Sequence, residues 1–181
     1  TDIALNGVGH LNAILVRADA TGANTGLGWA DAFTDLQSAI DAATPGMEIW
    51  VAKGTYKPTT GTDRSASFVL KSGVAIYGGF NGTETSRGQR RWWEHETILS
   101  GDIGQPGVKG DNSYTVVYAN GTDFGTVLDG FTITGGYNDG AGNGGGIITE
   151  NARVTIENVI IRDNYARLTG GGLWSRRVRS T

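Results

Sequence analysis

The chain has 181 residues, 30 of them glycine, with 18% charged residues and a formal net charge of -3; that length suits one domain with a sizeable core. The mildly acidic balance gives no general attraction to nucleic acid or an anionic membrane, so nucleic acid is not an expected partner. With no cysteine, disulfides, thiolate metal centres and a cysteine nucleophile are excluded, and no apolar run approaches the roughly 18 residues of a membrane span.

Residues 1–14 read as an N-terminal extension and residues 15–46 as a strand followed by a helix. Residues 47–181 read as short strands broken by Gly and Asn. The first strand is expected over residues 12–17 (NAILVR), then a Gly/Asn/Thr loop over 19–28. The one good helix follows. Thr34 and Gln37 make a capping-box pattern, Phe33, Leu36, Ile40 and Ala43 share a face, Asp35 and Asp41 point away, and Pro45-Gly46 ends it. Strands are then expected at 48–52, 67–70, 74–77, 97–100, 114–119, 127–134, 146–149, 154–161 and 172–174. The chain opens at Thr1 without Met and breaks off soon after a strand start, with Arg176, Arg177 and Arg179 in its last stretch; a piece of a longer protein is expected.

Because helices do not alternate with the strands, a doubly wound α/β sheet is ruled out, leaving an antiparallel sandwich or barrel or a coil of parallel strands. An internal repeat decides between them. GGG-Ile147 recurs as GGG-Leu173, and the segment ending at Ile133 aligns with the one ending at Ile161, spacings that suit one turn of a three-stranded coil. Ile49, Val74 and Ile98 extend a similar period back towards the helix. The expected fold is therefore all-β: a right-handed parallel β-helix, or solenoid, with a short N-terminal capping α-helix. Val127, Phe131, Ile133, Val154, Ile156, Val159 and Ile161 are the expected inward stack, and Phe33, Leu36 and Ile40 the lid over its first turn.

The run WADAFTDLQSAIDAATPGMEIWVAKGTYKPT, with SFVLKSGVAIYGGFNGTETSR and TILSGDIG after it, resembles the N-terminal part of bacterial exported right-handed β-helix proteins of the pectin-lyase-like superfamily. The resemblance runs from about Leu15 onward. The GGGI and GGGL repeats, with Ile161-Arg162-Asp163-Asn164-Tyr165-Ala166, are also similar to the repeats of polymorphic outer-membrane adhesins, with Gly146 and Gly172 as the third small residue and Ile161 in place of Phe. The resemblance implies export, a bacterial cell-surface or secreted location, and a β-helix stalk or passenger joined to an anchoring module.

Sugar-cleaving β-helices need clustered acids: hydrolases use two carboxylates on one bond, and lyases use Ca²⁺ ligands beside an Arg base. Asp102, Asp129, Glu157, Asp163 and Arg162 are the residues to consider. Asp129 and Glu157 stack as an acidic pair if the repeat holds, although two outward, solvated strand residues are the simpler reading. Asn138, Asp139 and Asn143 offer oxygen ligands for Ca²⁺ in a Gly-rich loop, but without EF-hand or nonapeptide spacing, so a flexible turn is preferred.

Arg90, Arg91, Trp92 and Trp93 form the most conspicuous polar-aromatic cluster and suit a sugar ring or a partner protein; the alternative is a loop folded on the solenoid flank with its Trp side chains tucked in. His10 and His95 are the only histidines and do not suggest a metal site. No catalytic residue and no cofactor beyond that Ca²⁺ is assigned. A non-catalytic adhesion or matrix-contact module meeting glycans or surface proteins is preferred over a polysaccharide lyase or glycoside hydrolase, and over a subunit that self-assembles through free strand edges.

Overall fold

A computed structural model describes residues 13–140 and 142–177. Most of the N-terminal extension, including His10, and the terminal Arg179 lie outside the described residues. The elements in chain order are β1 (Ala13–Val16), α1 (Leu36–Ala42), β2 (Glu48–Ala52), β3 (Gly54–Tyr56), β4 (Phe68–Val69), β5 (Ala75–Phe80), β6 (Thr97–Ser100) and β7 (Val117–Asn120). They continue with β8 (Thr126–Asp129), β9 (Thr132–Thr134), β10 (Tyr137–Asn138), β11 (Ile147–Glu150), β12 (Val154–Glu157), β13 (Ile160–Ile161), β14 (Tyr165–Ala166) and β15 (Leu173–Arg176).

Among the described residues strands in parallel sheets predominate, with one α-helix. The sheets run β1-β2-β5-β8-β12, β3-β6-β9-β13, β4-β7-β11-β15 and the short pair β10-β14. From β2 onward the chain visits the three larger sheets in rotation, and each strand lies parallel to its counterpart from the previous pass. The register repeats as expected late in the chain, with Ile147 against Leu173 and Ile133 against Ile161. Earlier it does not: Ile49 pairs with Ile76, whereas Ile98 belongs to a different sheet and pairs with Thr55. Two long excursions, residues 81–96 and 101–116, interrupt the period there.

Rows of apolar residues stack across each sheet because every strand presents alternate side chains inward. One row is Ile14, Ile49, Ile76, Leu128 and Ile156; a second is Tyr56, Leu99, Ile133 and Ile161; a third is Phe68, Val117 and Ile147. Each fully buried member contributes about 1.5–3 kcal/mol relative to exposure. The inward expectation for Val127 is corrected: Leu128 is the buried residue, and Val127 sits in the outward register against Thr155. A one-residue error of phase sends a strand residue to the other face. Leu173, next in the third row, is 46% exposed.

The expected strands over 127–134 and 154–161 each divide in two. Gly130, at φ 84°, breaks the first, and Asn158, at φ 51°, stands at the equivalent corner of the second. The helix starts one residue later than the Thr34 pattern suggests, because Asp35 is its N-cap and accepts from the Ser38 backbone N–H at 2.7 Å. Gln37 instead reaches across to the neighbouring strand, where its Oε1 accepts from Val69 N–H at 2.9 Å. Leu36, Ala39 and Ile40 are buried in the main core cluster with Ile14, Ile49 and Phe68. Among the described residues no helix is long and apolar enough to cross a membrane.

Candidate functional site

The excursion over residues 81–96 is folded down on the outer face of the first sheet. Glu84 holds its start: the carboxylate accepts from the backbone N–H groups of Asn81, Gly82 and Thr83 at 2.7–3.0 Å. Burial alone would raise the Glu84 pKa, but these donors outweigh it and the net shift is downward. Trp29 Nε1 donates to the Glu84 carbonyl at 2.8 Å, and Trp50 stacks on Phe80 with centroids 4.9 Å apart. Arg87 then pairs with Glu48 and lies over the Tyr77 ring.

Arg90 is the innermost point of this excursion. Its guanidinium pairs with Asp129 and donates to the Gly78 carbonyl at 3.2 Å. Asn158 Nδ2 donates to the other Asp129 oxygen at 2.8 Å. Asp129 is therefore 4% exposed, and the expectation of a solvated outward residue is corrected for it. Glu157, its in-register neighbour on β12, is exposed. The pair stacks as the repeat implies, yet the two carboxylates do not share an open surface. Arg90 is likewise a structural pin and not a surface contact, while Arg91 is exposed and pairs with Glu94 at 3.2 Å.

The chain comes close enough for this only because two glycines face it. A Cβ on Gly79 (φ 90°) would lie 2.3 Å from Trp92 Cα, and one on Gly130 would lie 3.1 Å from Trp92 Cβ. The two Trp side chains then divide their roles. Trp92 is half-buried, and Trp93 is 64% exposed and meets Trp92 edge to face at 5.7 Å. Both line a cleft of about 350 Å³ on the outer side of β9 and β13, together with Glu96, Thr132, Asn158 and Ile160. Glu96 Oε1 accepts from Thr132 Oγ1 at 2.9 Å and stands 3.8 Å from Arg162. Neither reading of the cluster is complete, since one Trp is tucked in and the other is presented.

The remaining candidates separate. Asp102 and Asp163 both line a second cleft, beside Tyr137 and Tyr165. In the Gly-rich loop Asn138 Nδ2 donates to the Asn143 carbonyl at 3.1 Å, Asp139 pairs with Arg64 at 2.9 Å, and Asn143 Oδ1 accepts from Thr169 Oγ1 at 2.7 Å. The Arg64 hydrogen bond holds the Asp139 carboxyl below its ordinary pKa. Among the described residues no three His, Asp or Glu side chains are placed to hold a metal ion.

A family model described as a protein of unknown function (DUF1565) matches residues 20–171. The chain belongs to the DUF1565 family. That family is parallel β-helix-like, in keeping with the parallel sheets here. The DUF1565 match takes in the linings of both clefts. No curated protein and no solved structure matches the chain.

Thr132, Asn158 and Ile160 are residues of the cleft that the sequence does not single out. Thr132 and Ile160 are in register on adjacent strands, so the repeat alone would stack them. What the sequence does not carry is where the excursion over 81–96 lands, because no local pattern joins Trp93 to a strand far along the chain.

Proposed function

We propose that this chain is a right-handed parallel β-helix of pectin-lyase-like architecture with adhesin-like repeats, and that it works without catalysis as a bacterial extracellular or cell-surface contact module. Its contact point is the Trp92–Trp93 cleft, which takes a glycan or a matrix protein. The observation that carries this reading is the exposed face of Trp93 beside the hydrogen-bonding groups of Glu96, Thr132 and Asn158. An aromatic face flanked by acceptors and donors suits a sugar ring or the side chains of a partner surface. The geometry of the acidic pair supports contact over cleavage: Asp129 is committed to Arg90 and Asn158 and so is not free to act with Glu157.

The test is binding of the purified chain to glycan arrays and immobilised matrix proteins, alongside Trp93→Ala. Retention that falls at least about tenfold in the variant, equivalent to roughly 1.4 kcal/mol, supports the reading. No retention, or retention indifferent to Trp93→Ala, overturns it. Release of unsaturated uronates or new reducing ends would instead favour a polysaccharide lyase or glycoside hydrolase.

A second reading, self-assembly, rests on edge strands: among the described residues β4 ends one sheet, and its Val69 N–H is capped only by the Gln37 side chain. Sedimentation that shows filaments at micromolar concentration supports it, and a dilution-stable monomer counts against it.

A further inference from the structure

We propose that the Trp92–Trp93 cleft selects uncharged sugars: its occupant is a short stretch of a neutral pyranose chain, and acidic polysaccharides are turned away. This inference rests on the contact reading above and names the ligand class for that same site. The cleft, at about 350 Å³, lies at the small end of the roughly 300–1,000 Å³ typical of ligand pockets, which suits a short piece of a chain.

Charge gives the first argument. Among the described residues Glu96 is the only ionised side chain in the lining. Two guanidinium groups lie close by, and each is already committed. Arg162 stands 3.8 Å from Glu96 and donates to Asp163 at 3.1 Å, and Arg90 is paired with Asp129. An anionic ring would meet the Glu96 carboxylate without a cation to offset it, and like charges brought together in an interface cost affinity. A cationic ligand gains little more than a neutral one, because Arg162 already answers the Glu96 charge.

Hydrogen-bond polarity points the same way. Thr132 Oγ1 gives its proton to Glu96 Oε1 at 2.9 Å, and Thr97 Oγ1 gives its own to the His95 carbonyl at 3.4 Å while accepting from Gly79 N–H at 2.9 Å. Asn158 Nδ2 donates to Asp129 at 2.8 Å, which sets the amide orientation and leaves Oδ1 as the acceptor it can offer a ligand. The second Glu96 oxygen retains its lone pairs. These side chains therefore present mainly acceptors, and the indole N–H groups of Trp92 and Trp93 are donors without charge. A sugar hydroxyl can donate to such a lining, whereas a uronate or sulfate oxygen can only accept.

The aromatic faces complete the match. Trp93 is 64% exposed, and Trp92 meets it edge to face. The face of an aromatic ring is negative, so it takes the C–H face of a pyranose and repels a carboxylate laid over it.

The probes are hexasaccharides: cellohexaose, mannohexaose and N-acetylchitohexaose as neutral chains, hexagalacturonate as the acidic one and the chitosan hexamer as the cationic one. Each is titrated into the full chain by calorimetry and by tryptophan fluorescence. The expected result is saturable binding of a neutral hexasaccharide with a change in fluorescence, and binding at least about tenfold weaker for hexagalacturonate and for the chitosan hexamer. Trp93→Ala weakens the neutral binding by at least about tenfold. Glu96→Gln removes the charge and adds an N–H donor, so hexagalacturonate binding rises to within about threefold of the neutral chain. If Trp93→Ala fails to fold, Glu96→Gln decides alone, through the ratio of neutral to acidic binding. No saturable binding of any neutral chain, charged chains that bind as tightly as the best neutral one, or a ratio unmoved by Glu96→Gln overturns the inference. Trp93-dependent retention of a matrix protein or of an acidic glycan would then leave the contact reading standing, and loss of all retention would remove that reading too.

Discussion

Asp129 and Glu157 occupy matching positions on adjacent parallel strands, yet one is buried under an arginine and the other faces solvent. Arg90, from the excursion over residues 81–96, and Asn158 both cover Asp129, and β8 lies inside its sheet while β12 is at the edge. Asp129 in turn fixes that excursion, through Arg90, and so positions Trp92 and Trp93. Asp129, one member of the candidate acidic pair, thus helps fasten the aromatic cleft.

Arg90→Ala should destabilise the chain by about 3–5 kcal/mol, because it leaves the Asp129 carboxylate buried and uncompensated. Both partners are well shielded, with side chains 14% and 6% exposed, so solvent screening does not remove the effect. Denaturant midpoints measure it. The double variant Arg90→Met, Asp129→Leu should recover most of the loss, since replacing a buried pair by apolar groups of similar volume is often neutral. Equal loss in both variants would mean that packing, and not charge, holds the excursion.

The all-β character and parallel stacking are legible in the sequence from Val127 onward because the repeat there is local and tight. Ile133 against Ile161 and Ile147 against Leu173 can be read directly, and the structure keeps those pairings. Before Val127 the two excursions hide the period, which is why Ile98 looks like a counterpart of Ile49 and is not. The cleft is legible only by half. Trp92 and Trp93 stand out by residue type, but Arg90 is read there as a surface group and found as a buried pin. Burial of a charge depends on what folds over it, and the neighbours of Asp129 come from residues far apart in the chain.

Gly79→Ala should release the excursion. Its Cβ would fall 2.3 Å from Trp92 Cα at a backbone φ of 90°, so strain of about 1–3 kcal/mol adds to the clash. The expected outcome is a lowered Tm with a change in tryptophan fluorescence as the loop lifts. A variant with unchanged fluorescence and Tm would show that residues 90–93 are held without this close approach. Gly46→Ala is the useful comparison: its φ is also positive, at 89°, but no atom lies within 4 Å of the added Cβ, so it reports backbone strain alone.

Loop ordering near Asp139 should depend on pH in one direction. Its carboxyl pKa is lowered in the folded chain, chiefly by the Arg64 hydrogen bond. The folded state therefore holds this proton less readily than the unfolded chain. The contribution is present in full above the ordinary carboxylate range near 3.9 and is lost as pH falls through the depressed folded value. NMR titration of the Asp139 carboxyl should show the lowered midpoint, and Arg64→Gln should return it towards the ordinary value. A midpoint unmoved by Arg64→Gln would assign the shift to another donor.

The helix α1 makes the last prediction. Ile40 is buried against the inward rows, and Gln37 satisfies the edge N–H of Val69. Ile40→Ala should cost about 2–5 kcal/mol by emptying core volume. Asp35→Ala should cost about 1 kcal/mol through loss of the N-cap. Gln37→Ala works differently, since it frees an edge donor on β4 with little change in packing. Its expected signature is faster amide exchange at Val69 and a greater tendency to associate through that edge, read by sedimentation at rising concentration. Faster exchange without association would mean that the strand remains guarded by its shortness and by the helix body.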